Sequence, residues 1–442
     1  MEAYLSMFRK RVTAALAAAV LGVFAVLAVG TPTTAMAQGE NLHGTLRIAG
    51  NGWILHKFPV AAAAQDFMKR HPGVKVEVFP NSSSTFVTQY LLAWAHGHNP
   101  LDLGIGGTEG QLAAFVAKGD LVPWTNFFTG EFARDKFIQA YLKLGLFNGV
   151  QYTLPFMGEV MMFAINKPMF QKAGLLGPDG QAIPPKTWSD LTTYCSKLTA
   201  ANGGKPGCSV HWGFSFASYN YFTCLLGEQG TIYAKGTDIV DFTSPAAHNC
   251  LTVGRELIKN GWSMPGTVSD DNAGRRAYMA GDVGAILEAA SREAEAAATL
   301  GADKVGLMAA PGTEQNGTIV FSHAVFIPKM DSANARKLAI AFVREEILTP
   351  KFGQFGLTKY GKLPTYLPAW KGLENQPLYK LELAVVQRGV DPPRYVGYDQ
   401  LDTYMQQQIG KAVLGTESVD AALKTLAADE KKVNLTNLAA TH

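Results

Sequence analysis

The sequence predicts an α/β protein built as two lobes, each a doubly wound sheet flanked by helices, with a ligand cleft between them. The chain of 442 residues is longer than one ordinary hydrophobic core organises, so two domains are expected. Early in the chain, short apolar runs alternate with helical patterns, the signature of a parallel sheet with crossover helices. At residues 152–174 (YTLPFMGEVMMFAINKPMFQKAG) an apolar strand carries an isolated Glu159 and ends in Asn166-Lys167. A short amphipathic helix follows and stops at Gly174, where glycine suits a left-handed cap. A carboxylate on such a strand must pair internally or face a cleft, because burying it unpaired is costly. The stretch reads as the crossover between the lobes, with Glu159 pointing into the groove.

Residues 45–49 (TLRIA) read as a buried strand, 58–70 as an amphipathic helix closed by His71-Pro72-Gly73, and 74–79 (VKVEVF) as an alternating second strand. Residues 85–96 are helical and 102–105 form a third short strand. In sheets of this kind ligands sit beyond the carboxyl ends of the strands. That rule singles out the turn Asn51-Gly52-Trp53 and the turn Gly106-Gly107-Thr108-Glu109-Gly110. The second turn opens a helix over 111–118, whose amide end suits an anionic or hydroxyl ligand. It contains neither a GxGxxG nor a GxxxxGK[ST] pattern, which argues against nucleotide phosphate. Turn geometry alone accounts for its glycines equally well.

Beyond the crossover, residues 184–190 (PPKTWSD) start a helix, with Thr187 as N-cap and Asp190 closing a capping box. Residues 211–221 (HWGFSFASYNY) are rich in aromatics without helical spacing. They read either as core packing or as flat faces for a ligand, offered by Trp212, Tyr219 and Tyr221. Residues 281–292 form a buried strand running into a polar turn, and 318–328 a strand with Ser322-His323 in its middle. A long helix over 332–346, a glycine- and proline-punctuated loop over 356–368, and helices near 378–387, 401–414 and 418–432 complete the chain.

Composition narrows the function. Lys plus Arg number 39 against 36 acidic residues, a formal charge of +3, which is no electrostatic footprint for nucleic acid. A hydrophobic content of 47% with seven Trp fits a well-filled globular protein. Residues 1–37 form a separate unit: Arg9-Lys10-Arg11, an apolar core over 12–30, and Ala35-Met36-Ala37 as a small-x-small site. This is the pattern of a cleavable signal peptide and implies periplasmic delivery; a retained membrane anchor is the competing reading. No cysteine lies near the site, so a lipid-anchored form is not expected. The four cysteines, Cys195, Cys208, Cys224 and Cys250, favour disulfides in an exported chain. Of the three possible pairings, Cys195 with Cys208 and Cys224 with Cys250 are expected, because each joins the end of one helix to a nearby segment. A metal site is the rival, but the spacing contains no Cys-x-x-Cys knuckle. No cofactor or metal is implied.

Several segments line up, in order, with one family. They are GTLRIAG, then LDLGIGGTEGQLAAFVAKGDLVPW, YTLPFMGEVMMFAINKPMFQKAGL and PPKTWSDL, followed by MAGDVGA, the strand ending Phe326-Ile327-Pro328, the turn Lys362-Leu363-Pro364-Thr365, and LGTESVDAAL. Together, over residues 44–435, they resemble the extracellular solute-binding proteins of ABC importers, in the branch similar to maltose-binding proteins. The resemblance implies a two-lobed periplasmic-binding-protein fold. One lobe comprises residues 44–155 with 318–365, and the other 156–317 with 366–435. It further implies a protein, expected as a monomer, that closes on a small solute and then docks on the permease subunits of a membrane importer. Closure is a population shift, so the ligand must touch both lobes.

Carried over residue by residue, Glu159 precedes Asn166 as a cleft glutamate does in that branch. The turn over 106–110 falls where relatives place polar cleft residues, making Thr108 and Glu109 candidates, and Asn51 and Trp53 occupy a turn that also lines the cleft. Where many sugar binders have a stacking Trp, this chain has Ser291-Arg292. That departure argues against a plain maltodextrin and lets Arg292 signal an acidic or phosphorylated ligand.

Saccharides present hydroxyls around apolar ring faces. A binder needs acceptors such as Glu109 and Glu159, donors such as Arg292 or His323, and aromatic plates, here Trp53, Trp212, Tyr219 and Tyr398. Each has a structural alternative: an internal partner for Glu159, an interlobe salt bridge for Arg292, a satisfied core histidine for His323, and a loop near a hinge for Tyr398. The expected function is the exported substrate-binding component of an ABC importer that captures a mono- or oligosaccharide. A glycerol phosphodiester or a polyamine is the alternative guest. A glycoside hydrolase using Glu109 and Glu159 is the competing class. It lacks support from any Gly-x-Ser-x-Gly or His-Glu-x-x-His pattern, and His96 and His98 sit in a Gly/Asn/Pro turn that reads as a solvated loop.

Overall fold

In the computed structural model, which describes residues 42–82, 86–329 and 332–439, the chain opens with strand β1 (Gly44–Asn51) and turns at once into helix α1 (Gly52–Lys57). The signal segment 1–37 lies outside the described residues. The Asn51 side chain accepts the N–H of Trp53 at 3.0 Å, so the expected turn after β1 is an N-cap. Helix α2 (Val60–Arg70), β2 (Val74–Asn81), α3 (Phe86–Ala95) and β3 (Leu103–Ile105) follow, and β1 pairs in parallel with both β2 and β3. Gly106, with φ of 109°, makes the turn into α4 (Glu109–Ala117); a Cβ there would meet the Asn51 Cβ at 2.7 Å. Short strands β4 (Leu121–Val122), β5 (Leu146–Phe147) and β6 (Val150–Gln151) then lead to β7.

Strand β7 (Thr153–Asn166) organises the sheet. All but its last residue are buried, the near-continuous apolar run of a strand covered on both faces. Asn166 caps the next helix, α5 (Lys167–Lys172), by accepting the N–H of Met169 at 3.2 Å, and Gly174 just beyond takes the expected left-handed conformation. The capping box at Thr187 and Asp190 starts α6 (Trp188–Ala201), as its sequence requires. Then come β8 (Cys208–Val210), α7 (Phe214–Gln229), α8 (Pro245–Lys259), α9 (Ala273–Ala280), β9 (Ala285–Ala289), α10 (Arg292–Leu300) and β10 (Val305–Met308). Strand β11 (Val320–Pro328), α11 (Ala333–Phe342), α12 (Pro350–Tyr360), β12 (Leu363–Pro364), α13 (Pro377–Val386), α14 (Tyr398–Leu414) and α15 (Val419–Glu430) complete the described chain.

Hydrogen-bonded neighbours run β2-β1-β3-β11-β7-β9-β8, so the two sheet halves are continuous through β7. Its first part, Thr153 to Val160, pairs antiparallel with β11. Its second part, from Met161 on, pairs antiparallel with β9 and β10. One strand thus serves both halves, and residues near its middle lie at the junction between them.

Three local expectations are corrected. The aromatic segment over 211–221 leads into helix α7, which is buried nearly all round, so apolar residues on every side obscure the helical period. The loop expected from 356 is helical to Tyr360 and ends at left-handed Gly361. The polar turn expected after the strand is there at Ala290 and Ser291, but Arg292, expected in it, is the first residue of α10. Both disulfides form as expected, Cys195–Cys208 and Cys224–Cys250, inside a core cluster that also holds Trp188 and Trp212. Each large apolar side chain buried there contributes roughly 1.5–3 kcal/mol.

Candidate functional site

A cavity of about 570 Å³ opens where the carboxyl end of β1 and the turn after β3 face helices α9 and α14. Asn51 at the end of β1 and Trp53 and Lys57 on α1 line it, with Thr108 and Gln111 from the N-cap and first turn of α4, and Phe321 and His323 from β11. Phe216, Tyr219, Arg275, Arg276, Arg292, Tyr398, Asp399 and Asp402 line the opposite side, and Glu159 and Lys362 the junction. Phe321 and His323 share a face by the two-residue period of a strand, and Ser322 between them faces away, toward Glu109. A register shift falls just after His323 and bends the strand there. Gly110 lets α4 approach α14, since a Cβ would lie 2.5 Å from the Tyr398 ring.

The walls combine rings with paired charges. Tyr219 stacks on Phe321 at 4.8 Å between centroids, and Trp53 lies 5.8 Å from the His323 ring. Glu288, fully buried on β9, anchors the cationic wall. Its Oε2 lies 2.8 Å from Arg275 Nε and 3.1 Å from Arg292 Nε, and its Oε1 lies 3.0 Å from His211 Nε2. Burial opposes charge on Glu288, but the His211 hydrogen bond and the charges of Arg292 and Arg275 outweigh it and hold the carboxyl down at about 2. Arg292 also pairs with Glu295, and Arg276 with Asp270.

At the junction Lys362 pairs with Glu159 and donates to Ser291 Oγ at 3.0 Å. Burial lowers the Lys362 ammonium from its ordinary value, although Glu159 opposes the shift. Burial, with the Lys362 charge beyond it, pushes His323 down to about 3, so its ring is neutral at physiological pH. Among the described residues its Nδ1 has no hydrogen-bond partner. On α14, Asp402 accepts from Ser218 at 2.6 Å and Gln406 at 2.8 Å, yet burial pushes it up to about 7.

Of the residues singled out in the sequence, Asn51, Trp53, Thr108, Glu159, Tyr219, Arg292, His323 and Tyr398 line this one cavity. Three do not. Trp212 is 0% exposed and packs 6.4 Å from the Trp188 ring, so it is a core side chain and not a plate. Glu109 turns behind the wall to accept the N–H of Ser322 at 3.0 Å, because a carboxylate buried at the start of α4 needs donors. Ser291 is buried and holds Lys362. Glu159 has an internal partner after all, and Arg292 is committed to Glu288 and Glu295, which removes it as a free clamp for an anion. Sequence reading missed Lys362, Arg275, Arg276, Gln111 and Phe216. Only Lys362 carried a signal, its place in the Lys-Leu-Pro-Thr turn. Among the described residues no cluster of His, Cys, Asp or Glu is arranged to hold a metal, and no helix is long and apolar enough to cross a membrane.

A family model described as bacterial extracellular solute-binding protein matches residues 57–345. A binding protein of Brucella abortus (strain 2308) is 26% identical over 175 residues, 38% of this chain and 39% of that protein, so the match spans well under half of the relative's length. The GacH receptor of Streptomyces glaucescens GLA.O, solved unliganded and with acarbose, superposes with a TM-score of 0.74 at 18% identity, covering 89% of this chain and 99% of that one. Maltose-bound MalE3 of T. maritima gives 0.74 at 17% identity, covering 88% and 99%. At such identities the likeness shows the fold, a two-lobed α/β architecture.

Proposed function

The chain belongs to the bacterial extracellular solute-binding protein family, and on that premise we propose that it captures a neutral mono- or oligosaccharide in the cavity and closes its lobes on it. In this reading residues 44–155 with 318–365 form one lobe and 156–317 with 366–435 the other. The closed form passes the sugar to a membrane permease without turning it over. Residues 1–37 direct the chain to the periplasm.

The observation that carries the reading is the composition of the walls. Rings of Trp53, Phe216, Tyr219, Phe321 and Tyr398 alternate with polar groups, and the charges of Arg275, Arg292, Lys362 and Glu159 among them are already paired. Apolar plates suit the faces of a sugar ring, and fixed donors and acceptors suit its hydroxyls. Anionic guests are disfavoured, because Arg275, Arg276, Arg292 and Lys362 each have a carboxylate partner. The saccharides bound by GacH and MalE3 support the same class.

A thermal-shift panel tests it. A ligand bound only by the folded protein raises the melting temperature by mass action, by about 2.7 kcal/mol of stability at a hundredfold excess over Kd. Neutral sugars are expected to shift the midpoint, while glycerol phosphodiesters and polyamines leave it unmoved. A shift with the last two alone overturns the reading, and release of products from a bound glycoside overturns the absence of turnover.

A further inference from the structure

We propose that Asp402 is a specificity-determining residue of the cavity: its carboxylate accepts a hydrogen bond from one hydroxyl of the guest, and capture therefore weakens as the surroundings acidify. This rests on the saccharide reading above. Among the acids that line the cavity, Glu159, Asp271 and Glu295 each face a cation, namely Lys362, Arg275 and Arg292. Asp399 and Asp402 line it too, three positions apart on α14, and among the described residues neither makes an ion pair. Residues three apart share a helix face, so the two carboxyls repel each other when both are charged.

Neutral donors hold Asp402 in place. Ser218 Oγ on α7 donates to its Oδ1 at 2.6 Å, and Gln406 Nε2, one turn along α14, donates to its Oδ2 at 2.8 Å. A carboxylate oxygen accepts about two hydrogen bonds, so each oxygen keeps one acceptor position. Glu109 and Glu288 are sealed, whereas Asp402 retains partial exposure and lines the cavity. A guest hydroxyl supplies the kind of donor this group lacks, and a bond to the charged form is stronger than one to a neutral acceptor. Tyr219 and Tyr398 lie close enough to feel its charge and line the same wall, which sets ring faces beside the acceptor.

The ionisable surroundings do not hold the charge. Burial, joined by the like charge of Asp399, outweighs the Ser218 and Gln406 hydrogen bonds and leaves the Asp402 carboxyl at about 7. Burial also raises Tyr219 of α7 and Tyr398 of α14 above their ordinary values, so both stay neutral. Glu109 of α4 lies behind the wall on Ser322, and Arg275 and Arg276 of α9 are paired with Glu288 and Asp270. Helices α8 and α15 meet α14 through apolar core residues, and the turn over 265–268 carries no ionisable side chain. A guest that binds the charged form draws the carboxyl down and releases its proton. Affinity is then full above about 7 and falls as pH drops through that value.

The test is calorimetric titration of the purified protein with maltose, glucose, galactose and xylose across the window from about pH 8 to about pH 6, in buffers of different ionisation enthalpy. On wild type the tightest sugar is expected to weaken about tenfold over that window and to release about half a proton at its midpoint. Asp402→Asn, which keeps the shape and removes the charge, is expected to bind more weakly at the alkaline end, with a flat profile and no proton release. Asp399→Asn removes the like charge and moves the inflection to lower pH. Among the single-deoxy analogues of the tightest sugar, the one lacking the hydroxyl that meets Asp402 is expected to bind wild type without pH dependence. If none of the four sugars binds at any pH, the saccharide reading fails and this proposal with it. If sugars bind but their affinity is flat with pH on wild type, or keeps its slope in Asp402→Asn, this proposal alone fails; a slope that Glu109→Gln abolishes instead belongs to the acid behind the wall. Should Asp402→Asn not fold, the deoxy series on wild type decides: a pH dependence shared by every analogue overturns the proposal.

Discussion

Arg275 Nε lies 2.8 Å from Oε2 of Glu288, so a side chain on the cavity wall is held by a carboxylate buried beneath it. The same oxygen lies 3.1 Å from Arg292 Nε, and one acid on β9 orients two guanidinium groups. Replacing it strands buried cations, which costs about 3–5 kcal/mol. Glu288→Ala is expected to lose that much in denaturant unfolding at neutral pH. Because the folded carboxyl is held at about 2, below its ordinary 4.5, its contribution is present above 4.5 and is lost as pH falls through 2. Glu288→Gln therefore flattens the acid limb of the stability curve, and an unchanged limb would contradict the assignment.

Glu109 carries the opposite sign. Burial pushes its carboxyl up to about 7 even though Ser322 donates to it. The stability linked to its proton is fully present below the ordinary value of 4.5 and is lost as pH rises through 7. A shift of this size corresponds to roughly 3 kcal/mol. Glu109→Gln is expected to remove the decline between pH 4.5 and 7, read from melting temperatures across that window.

Two tryptophans separate binding from folding. Trp53 lines the cavity and Trp212 is sealed in the core. Trp53→Ala is expected to weaken sugar binding on the order of tenfold, with a small change in melting. Trp212→Ala should cost about 3–5 kcal/mol of stability and leave the affinity of the folded fraction unchanged. The reverse result in titration and melting experiments would exchange their roles.

The disulfides close loops of 13 and 26 residues. On chain-entropy grounds the losses on removal are about 3 and about 3.5 kcal/mol respectively. Replacing Cys224 and Cys250 with alanine is expected to destabilise more than replacing Cys195 and Cys208, as measured by denaturant midpoints at constant m-value. Equal or inverted losses would point to packing instead of loop closure.

Much of the scaffold was legible because the relevant signals are local. Thr187 and Asp190 make a capping box from four consecutive positions, and the alternation at Val74–Asn81 marks a half-buried strand wherever it packs. The aromatic run before Gln229 was misread for a physical reason: a helix buried on every side shows no polar face to mark its period. Trp212 and Tyr219 lie seven positions apart, yet one faces the core and the other the cavity. Composition is the same for both destinations, and only the path of the backbone separates them.

By itself, the sequence determined the alternating elements and the strand on which Glu159 stands, since each depends on neighbours along the chain. Tertiary structure alone decided what that acid touches. Lys362 is far away in sequence and reaches Glu159 only because β12 folds back against β7. Whether a buried charge is paired, and which of its oxygens is left without a hydrogen bond, depends on distances of a few ångströms between segments that no local pattern encodes.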